Sequence, residues 1–180
     1  MTSDQDTTWV DACLTGDRKA FGMLVDKYGK QMFNTAYRMV NDHEDAMDAT
    51  QSAFVKAYEK LNTFDSSYRF FSWLYRILVN ESINILNHRN HFDPLDSDII
   101  VTEKNPEERY NDVELGNHLQ LALMELKPDY RTAIVLRHYQ GLSYREMGEI
   151  IGVPEKTVKS RLFSARRQLK DILARRGVHR

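Results

Sequence analysis

A chain of 180 residues, 42% hydrophobic and 28% charged with a formal net charge of −1, suits one or two small globular domains and is too apolar to be disordered throughout. No run approaches the roughly 20 apolar residues that cross a bilayer. The acidic segment Met1 to Asp11 lacks the basic-then-apolar order of a secretory signal, and the single cysteine, Cys13, excludes an internal disulfide and points to a reducing cytoplasm.

Eight glycines and four prolines leave few turn markers, which favours long helices. Asp17 is placed to cap a helix reaching about Val40, with Phe21, Leu24, Val25, Tyr28 and Met32 on one stripe. A second helix is predicted from about His43 to Leu61 and a third from about Ser67 to His88. Asp93-Pro94 breaks the pattern, and Pro94 to Asn105 has no period and reads as linker. Asn105-Pro106-Glu107-Glu108 combines a cap, a first-turn proline and a capping-box glutamate, starting a helix that runs to about Leu126. Three more helices follow, near 129–139, 143–151 and 154–175. The expected fold is all-α: two small helical domains, residues 1–92 and 113–180, joined by an acidic linker over 93–112.

Charge is unevenly spread. The linker carries −5 and residues 145–180 carry +6, which suits a polyanionic partner for the C-terminal end; a basic but merely solvated helix is the alternative. The segment from Ser143 to Val158 has the spacing of a DNA-reading helix-turn-helix, and the expected C-terminal domain is of that type. Gly148 is small where two helices cross, Gly152 permits the turn, and Val153 and Val158 plug the angle between the helices. On the last helix Val158, Leu162, Ala165, Leu169, Ile172 and Leu173 share an inner arc. Lys156, Lys159, Ser160, Phe163, Arg166, Arg167 and Lys170 share an outer one. Those cations can neutralise phosphates or reach guanine edges, Ser160 can bond a base edge, and Phe163 can meet a thymine methyl group or pack under a lysine stem. Arg161 lies between the faces, as a phosphate clamp or as an ion-pair partner of Glu146 or Glu149.

The helix near 67–88 is rich in aromatics. Phe70, Phe71, Leu74, Ile77, Leu78 and Ile85 share a core arc, into which Glu81 also falls without explanation. Arg69, Trp73, Arg76, Asn80, Asn84 and Asn87 form an opposite face of cations, amides and one indole, the parts needed to hold unstacked single-stranded bases. On the preceding helix Asp45, Asp48, Ser52, Val55 and Glu59 point one way with Gln51 at the edge, an apolar spot ringed by acids that suits a basic protein partner.

These elements, in this order, resemble a bacterial RNA polymerase sigma factor of the extracytoplasmic-function (ECF) group. The likeness is carried by Gly16-Asp-Arg-Lys-Ala-Phe21, Asp48-Ala-Thr-Gln-Ser-Ala-Phe54, Trp73-Leu-Tyr-Arg-Ile77 with Asn80, and Leu142-Ser-Tyr-Arg-Glu146 through Thr157-Val-Lys-Ser-Arg161. The resemblance implies an alternative sigma factor that binds core RNA polymerase, recognises the −10 and −35 promoter elements and promotes strand opening for transcription initiation. It implies that Asp45, Asp48, Gln51, Val55 and Glu59 dock on the clamp helices of the largest polymerase subunit. Tyr68, Arg69, Trp73, Tyr75, Arg76 and Asn80 would engage the −10 element, and Lys156, Lys159, Ser160, Phe163 and Arg166 the −35 element. The C-terminal domain would lean on the flap of the second large subunit, and the linker would thread toward the RNA exit path. An anti-sigma protein is an implied partner, with the chain cytoplasmic, associated with the nucleoid in holoenzyme and held at the membrane only through its inhibitor. Met47 and Ser52 stand where members commonly carry Glu, Ser164 where a basic residue is common, and Gly148 where Ala is more usual.

No direct membrane insertion, cofactor or metal is expected. The six histidines are scattered, with only His88 and His91 close together, and no nucleophile triad, phosphate loop or catalytic carboxylate cluster stands out, so the chain does not read as an enzyme. Two other readings are a duplex-operator regulator whose residues 1–92 sense a signal, and an interaction adaptor without DNA affinity. Cys13 reads as a small buried hydrophobe before a redox sensor.

Overall fold

The computed structural model describes residues 3–92 and 110–178, and within them every regular element is helical. Residues 93–109 of the expected linker, with the Asn105 helix start, lie outside the described residues; residues 110–112, also assigned to the linker, are already helical.

The first group holds α1 (Ser3–Leu14), α2 (Arg18–Val40), α3 (His43–Glu59) and α4 (Phe70–Phe92). Asp17 caps α2 by accepting from the Lys19 N–H, and Asn41, in the left-handed region at φ 54°, ends it. Asp42 then caps α3 through the Asp45 N–H at 2.9 Å. A 3-10 turn, Leu61–Thr63, follows α3. The third predicted helix begins three residues late: Asp65 accepts from the Ser67 N–H at 2.9 Å, so Tyr68 and Arg69 sit on the turn before α4. α1 had no sequence forecast. It is anchored by Asp6, 4% exposed, which accepts from the Tyr28 hydroxyl at 2.6 Å and pairs with Lys27.

The alanines Ala46, Ala49, Ala53 and Ala57 are buried along α3 and let it approach α2 and α4 closely, where Leu24, Met32, Met39, Leu74 and Leu78 fill the space. Glu81 is explained by Lys56 of α3, whose Nζ lies 2.7 Å from its carboxylate.

The second group holds α5 (Tyr110–Met124), α6 (Pro128–Ile134), α7 (Tyr144–Ile151) and α8 (Glu155–Arg175), with a wide π-helical turn at Val135–Tyr139. Ser143 caps α7 in a full capping box with Glu146, and Gly152 closes it at φ 75°. Arg161 pairs with Asp129 of α6 at 3.1 Å, and with neither Glu146 nor Glu149.

The α7–α8 angle is tight at Gly148. A Cβ there would stand 2.8 Å from the Val153 carbonyl oxygen and 3.9 Å from Val158 Cγ2. Gly148→Val is therefore expected to cost about 2–3 kcal/mol through overpacking against main chain. Thermal unfolding checks this; an unchanged midpoint would show that the helices can separate freely here.

The two groups share one contiguous core. Arg131 of α6, 4% exposed, reaches across to the Met39 carbonyl of α2, and α7 lies against α4.

Candidate functional site

Three surfaces carry the residues singled out in the sequence. On α8, the inner arc is buried at Val158, Leu162, Ala165 and Ile172, which turns Lys156, Lys159, Ser160, Phe163 and Arg166 outward, all exposed. Phe163 is 70% exposed, so it does not pack under a lysine stem. Lys159 pairs with Glu155 one turn earlier at 2.7 Å. Arg166 donates from Nε to His138 Nε2 at 3.2 Å. Burial, with Arg166 and Arg137 adding to it, pushes the His138 pKa below its ordinary value, so a neutral imidazole is available to accept that bond. Sequence reasoning missed His138, because it comes from the π-helical turn 28 positions upstream of Arg166.

The α4 surface divides into three kinds of position. Tyr68, Arg69, Arg76 and Asn80 are exposed. Trp73 is half-buried, with its indole 5.4 Å from the Phe64 ring and 5.7 Å from Phe70, so it forms the wall of an aromatic cluster. Tyr75 is a correction: it is fully buried, stacked on Phe71 with centroids 4.1 Å apart, and cannot reach a nucleic acid. The reason is helical phase, since Tyr75 follows Phe71 by four and precedes Leu78 by three. Burial also pushes its phenol pKa upward.

On α3, Asp48, Gln51, Val55 and Glu59 are exposed and contiguous. Asp45 is only partly available: Arg89 of α4 pairs with it, and burial raises its carboxyl pKa against the pull of Arg89. The missed members are apolar. Met47 and Tyr58 are 45% and 43% exposed beside Val55 at 56%, giving this acidic face a larger hydrophobic seam than Val55 alone. Tyr58 also packs edge-on against Phe21.

Cys13 is half-buried against the core, and burial with Asp17 raises its thiol pKa, away from a reactive thiolate. Among the described residues no group of three or more His, Cys, Asp or Glu could hold a metal, and no helix is long and apolar enough to cross a membrane.

The chain matches two family models, Sigma-70 region 2 over residues 24–92 and Sigma-70, region 4 over residues 117–169. It is 33% identical to the RNA polymerase sigma-H factor of Pseudomonas aeruginosa over 96% of each chain. It is 36% identical to the ECF RNA polymerase sigma-E factor of Escherichia coli, covering 92% of this chain and 93% of that one. Among solved structures it is similar to CnrH in complex with the cytosolic domain of CnrY, with a TM-score of 0.73 at 26% identity over 94% of this chain and 97% of that one. The sigma factor RpoE in complex with the anti-sigma factor NepR from Bartonella quintana matches at a TM-score of 0.68 and 28% identity, over 87% of this chain and 98% of that one.

Proposed function

The chain belongs to the ECF sigma factors, and from that premise we propose how its own residues divide the work. It is an alternative sigma factor for promoter recognition and transcription initiation, in a family that binds core RNA polymerase and promoter DNA. That family consists of initiation factors and is not known for enzymes.

In our reading, residues 1–92 act as a region-2 domain that attaches to polymerase and reads the −10 element, residues 93–112 link, and residues 113–180 read the −35 element. The observation that carries the −35 assignment is the exposed outer face of the second helix of the helix-turn-helix, where Lys156, Lys159, Ser160 and Arg166 surround Phe163, a ring 70% exposed. A thymine methyl gives that ring a partner while the cations meet phosphates. Tyr68, Arg69, Trp73, Arg76 and Asn80 hold the non-template strand at −10. Tyr68 supplies a free ring, Trp73 a wall, and Arg69 and Arg76 the phosphate contacts. Each base taken from the stack costs a few kcal/mol, offset by aromatic stacking and amide bonds. The chain performs no catalysis itself and uses binding energy to open the duplex. Asp48, Gln51, Val55 and Glu59, with Met47 and Tyr58, meet the clamp helices of the polymerase. It works in the cytoplasm with an anti-sigma factor as its inhibitor, a reading supported by the similarity to the Bartonella quintana sigma factor RpoE, which is in complex with the anti-sigma factor NepR.

The test is transcription in vitro with core polymerase on a promoter library, which reads both function and motif. Selective initiation at a shared two-part motif is expected; none at any start site, with inhibitor absent, rejects the reading. Within it, Tyr68→Ala should lower open-complex formation about 5-fold or more, since a base–aromatic stack is worth about 1–3 kcal/mol. Permanganate footprinting measures this. Tyr68 is 57% exposed, so unfolding should not change, and unaltered opening would remove Tyr68 from the strand path.

A further inference from the structure

Lys159 and Arg166, both on the outer face of α8, are held by partners of different kinds. Lys159 pairs with the Glu155 carboxylate at 2.7 Å, and its ammonium lies 5.5 Å from the centre of the Tyr144 ring of α7. Arg166 donates from Nε to His138 Nε2 at 3.2 Å. A carboxylate facing a guanidinium takes two N–H groups side by side and offsets the charge. An imidazole nitrogen accepts a single N–H and leaves the positive charge in place. Because Nε2 accepts, the ring proton sits on Nδ1. The bond uses Nε alone, and Arg166 is exposed, so its terminal pair, Nη1 and Nη2, stays available.

The turn that presents His138 is itself fixed. It buries Val135 and Leu136 in the core and brings Arg137, His138 and Tyr139 outward in succession. The Leu142 N–H, just before the cap of α7, donates to the Leu136 carbonyl at 3.2 Å. Arg137 returns the bond from its side chain, Nη1 donating to the Leu142 carbonyl at 2.7 Å, and its guanidinium lies 5.0 Å from the centre of the Tyr144 ring. His138 is therefore carried on a backbone tied both to the core and to the start of the helix-turn-helix. All of these residues belong to the second group, so the arrangement does not depend on where the first group lies.

A guanidinium can grip a pair of acceptors side-on, through Nε and one Nη, or end-on, through Nη1 and Nη2. With Nε taken, only the end-on grip remains, and that fork matches O6 and N7 of guanine in the major groove. We propose that His138 is a positioning residue that sets specificity at the −35 element: it occupies Arg166 Nε and commits that side chain to reading one guanine end-on. This rests on the assignment of the outer face of α8 to the −35 element. It sets Arg166 apart from the cations that meet phosphates. An arginine held by nothing loses rotamer freedom when it binds, and a bond made before DNA arrives removes part of that cost. His138 acts through Arg166 and not on the DNA.

The test uses the full chain with core polymerase on a promoter returned by the library experiment. Each base pair of the −35 element is substituted in turn, and initiation is compared with that from the unchanged promoter. Arg166→Ala should abolish the preference at one G·C pair and leave the other positions as they were. His138→Ala should lower the preference at that same pair about 3–10-fold, a part of what a bidentate contact supplies. His138→Gln, whose side-chain carbonyl can accept from Nε, should retain most of it. Adding His138→Ala to Arg166→Ala should change nothing further. His138 is exposed, so the unfolding midpoint should hold throughout. Unchanged preference in His138→Ala, an equal loss in His138→Gln, or a further loss in the double variant overturns the proposal, and so does an Arg166→Ala chain with no altered G·C pair. A wild-type chain that gives no selective initiation sinks the −35 assignment and this proposal with it, whereas the other outcomes overturn this proposal alone.

Discussion

Replacing Arg131 by methionine should lower the unfolding free energy by about 3–5 kcal/mol, among the larger losses a single substitution produces. The guanidinium is 4% exposed and its described bonds all run to main-chain carbonyls. Nε donates to Leu123 at 2.9 Å, Nη2 to Met124 at 2.7 Å and Leu126 at 3.1 Å, and Nη1 to Met39. Leu123 and Met124 lie in the last turn of α5, and Met39 in that of α2, where carbonyls lack intrahelical partners and the helix dipole is negative. One cation thus completes two helix ends belonging to different groups. Burial pushes its pKa down to about 10, the cost of desolvation, yet it stays charged at neutral pH. Methionine fills the volume and leaves buried acceptors without donors. Arg131→Lys should recover only a minor part, because an ammonium cannot span the fork. Urea unfolding followed by circular dichroism measures both; a loss below about 1 kcal/mol would show that the carbonyls find other donors.

The second large effect concerns attachment. Asp48→Ala combined with Val55→Ala should weaken binding to core polymerase about 10–100-fold, corresponding to about 1.4–2.8 kcal/mol. Val55 is 56% exposed and Asp48 is exposed beside it, so the thermal midpoint should hold. Fluorescence titration of labelled chain with core enzyme reads the affinity. Full affinity in the double variant would move the contact to another face. Asp45→Ala is a poorer probe, because Asp45 is tied to Arg89 and its removal also disturbs the α3–α4 contact.

The parts of this molecule visible in its sequence are those decided by local chemistry. Asp17, Ser143 and Gly152 mark helix ends by capping and by tolerance of positive φ, and the structure uses each so. The outward face of α8 followed from the period of its apolar residues. What stayed hidden depends on partners distant in the chain. α1 is short of apolar residues and is held by Asp6 to Tyr28, a pairing no local pattern announces. Tyr75 carries a polar tip, yet its position on the Phe71–Leu78 side decides for burial. Glu81 looked misplaced on a core arc until Lys56 arrived from α3. Glu146 was read as a possible partner of Arg161, whereas it pairs with Arg69, 77 positions away.

The π-helical turn at Val135–Tyr139 takes up one residue out of step with an ordinary helix. At its end Tyr139 stacks under the Arg38 guanidinium at 4.7 Å, and Gln140 just beyond it bonds with Gln31 and Thr35. Deleting one residue there would restore regular pitch and swing both side chains by roughly 100° about the axis, away from α2. The angular setting between the two halves is thus indexed by a single insertion. A relative with a one-residue gap at this point should carry the same halves docked at a different azimuth.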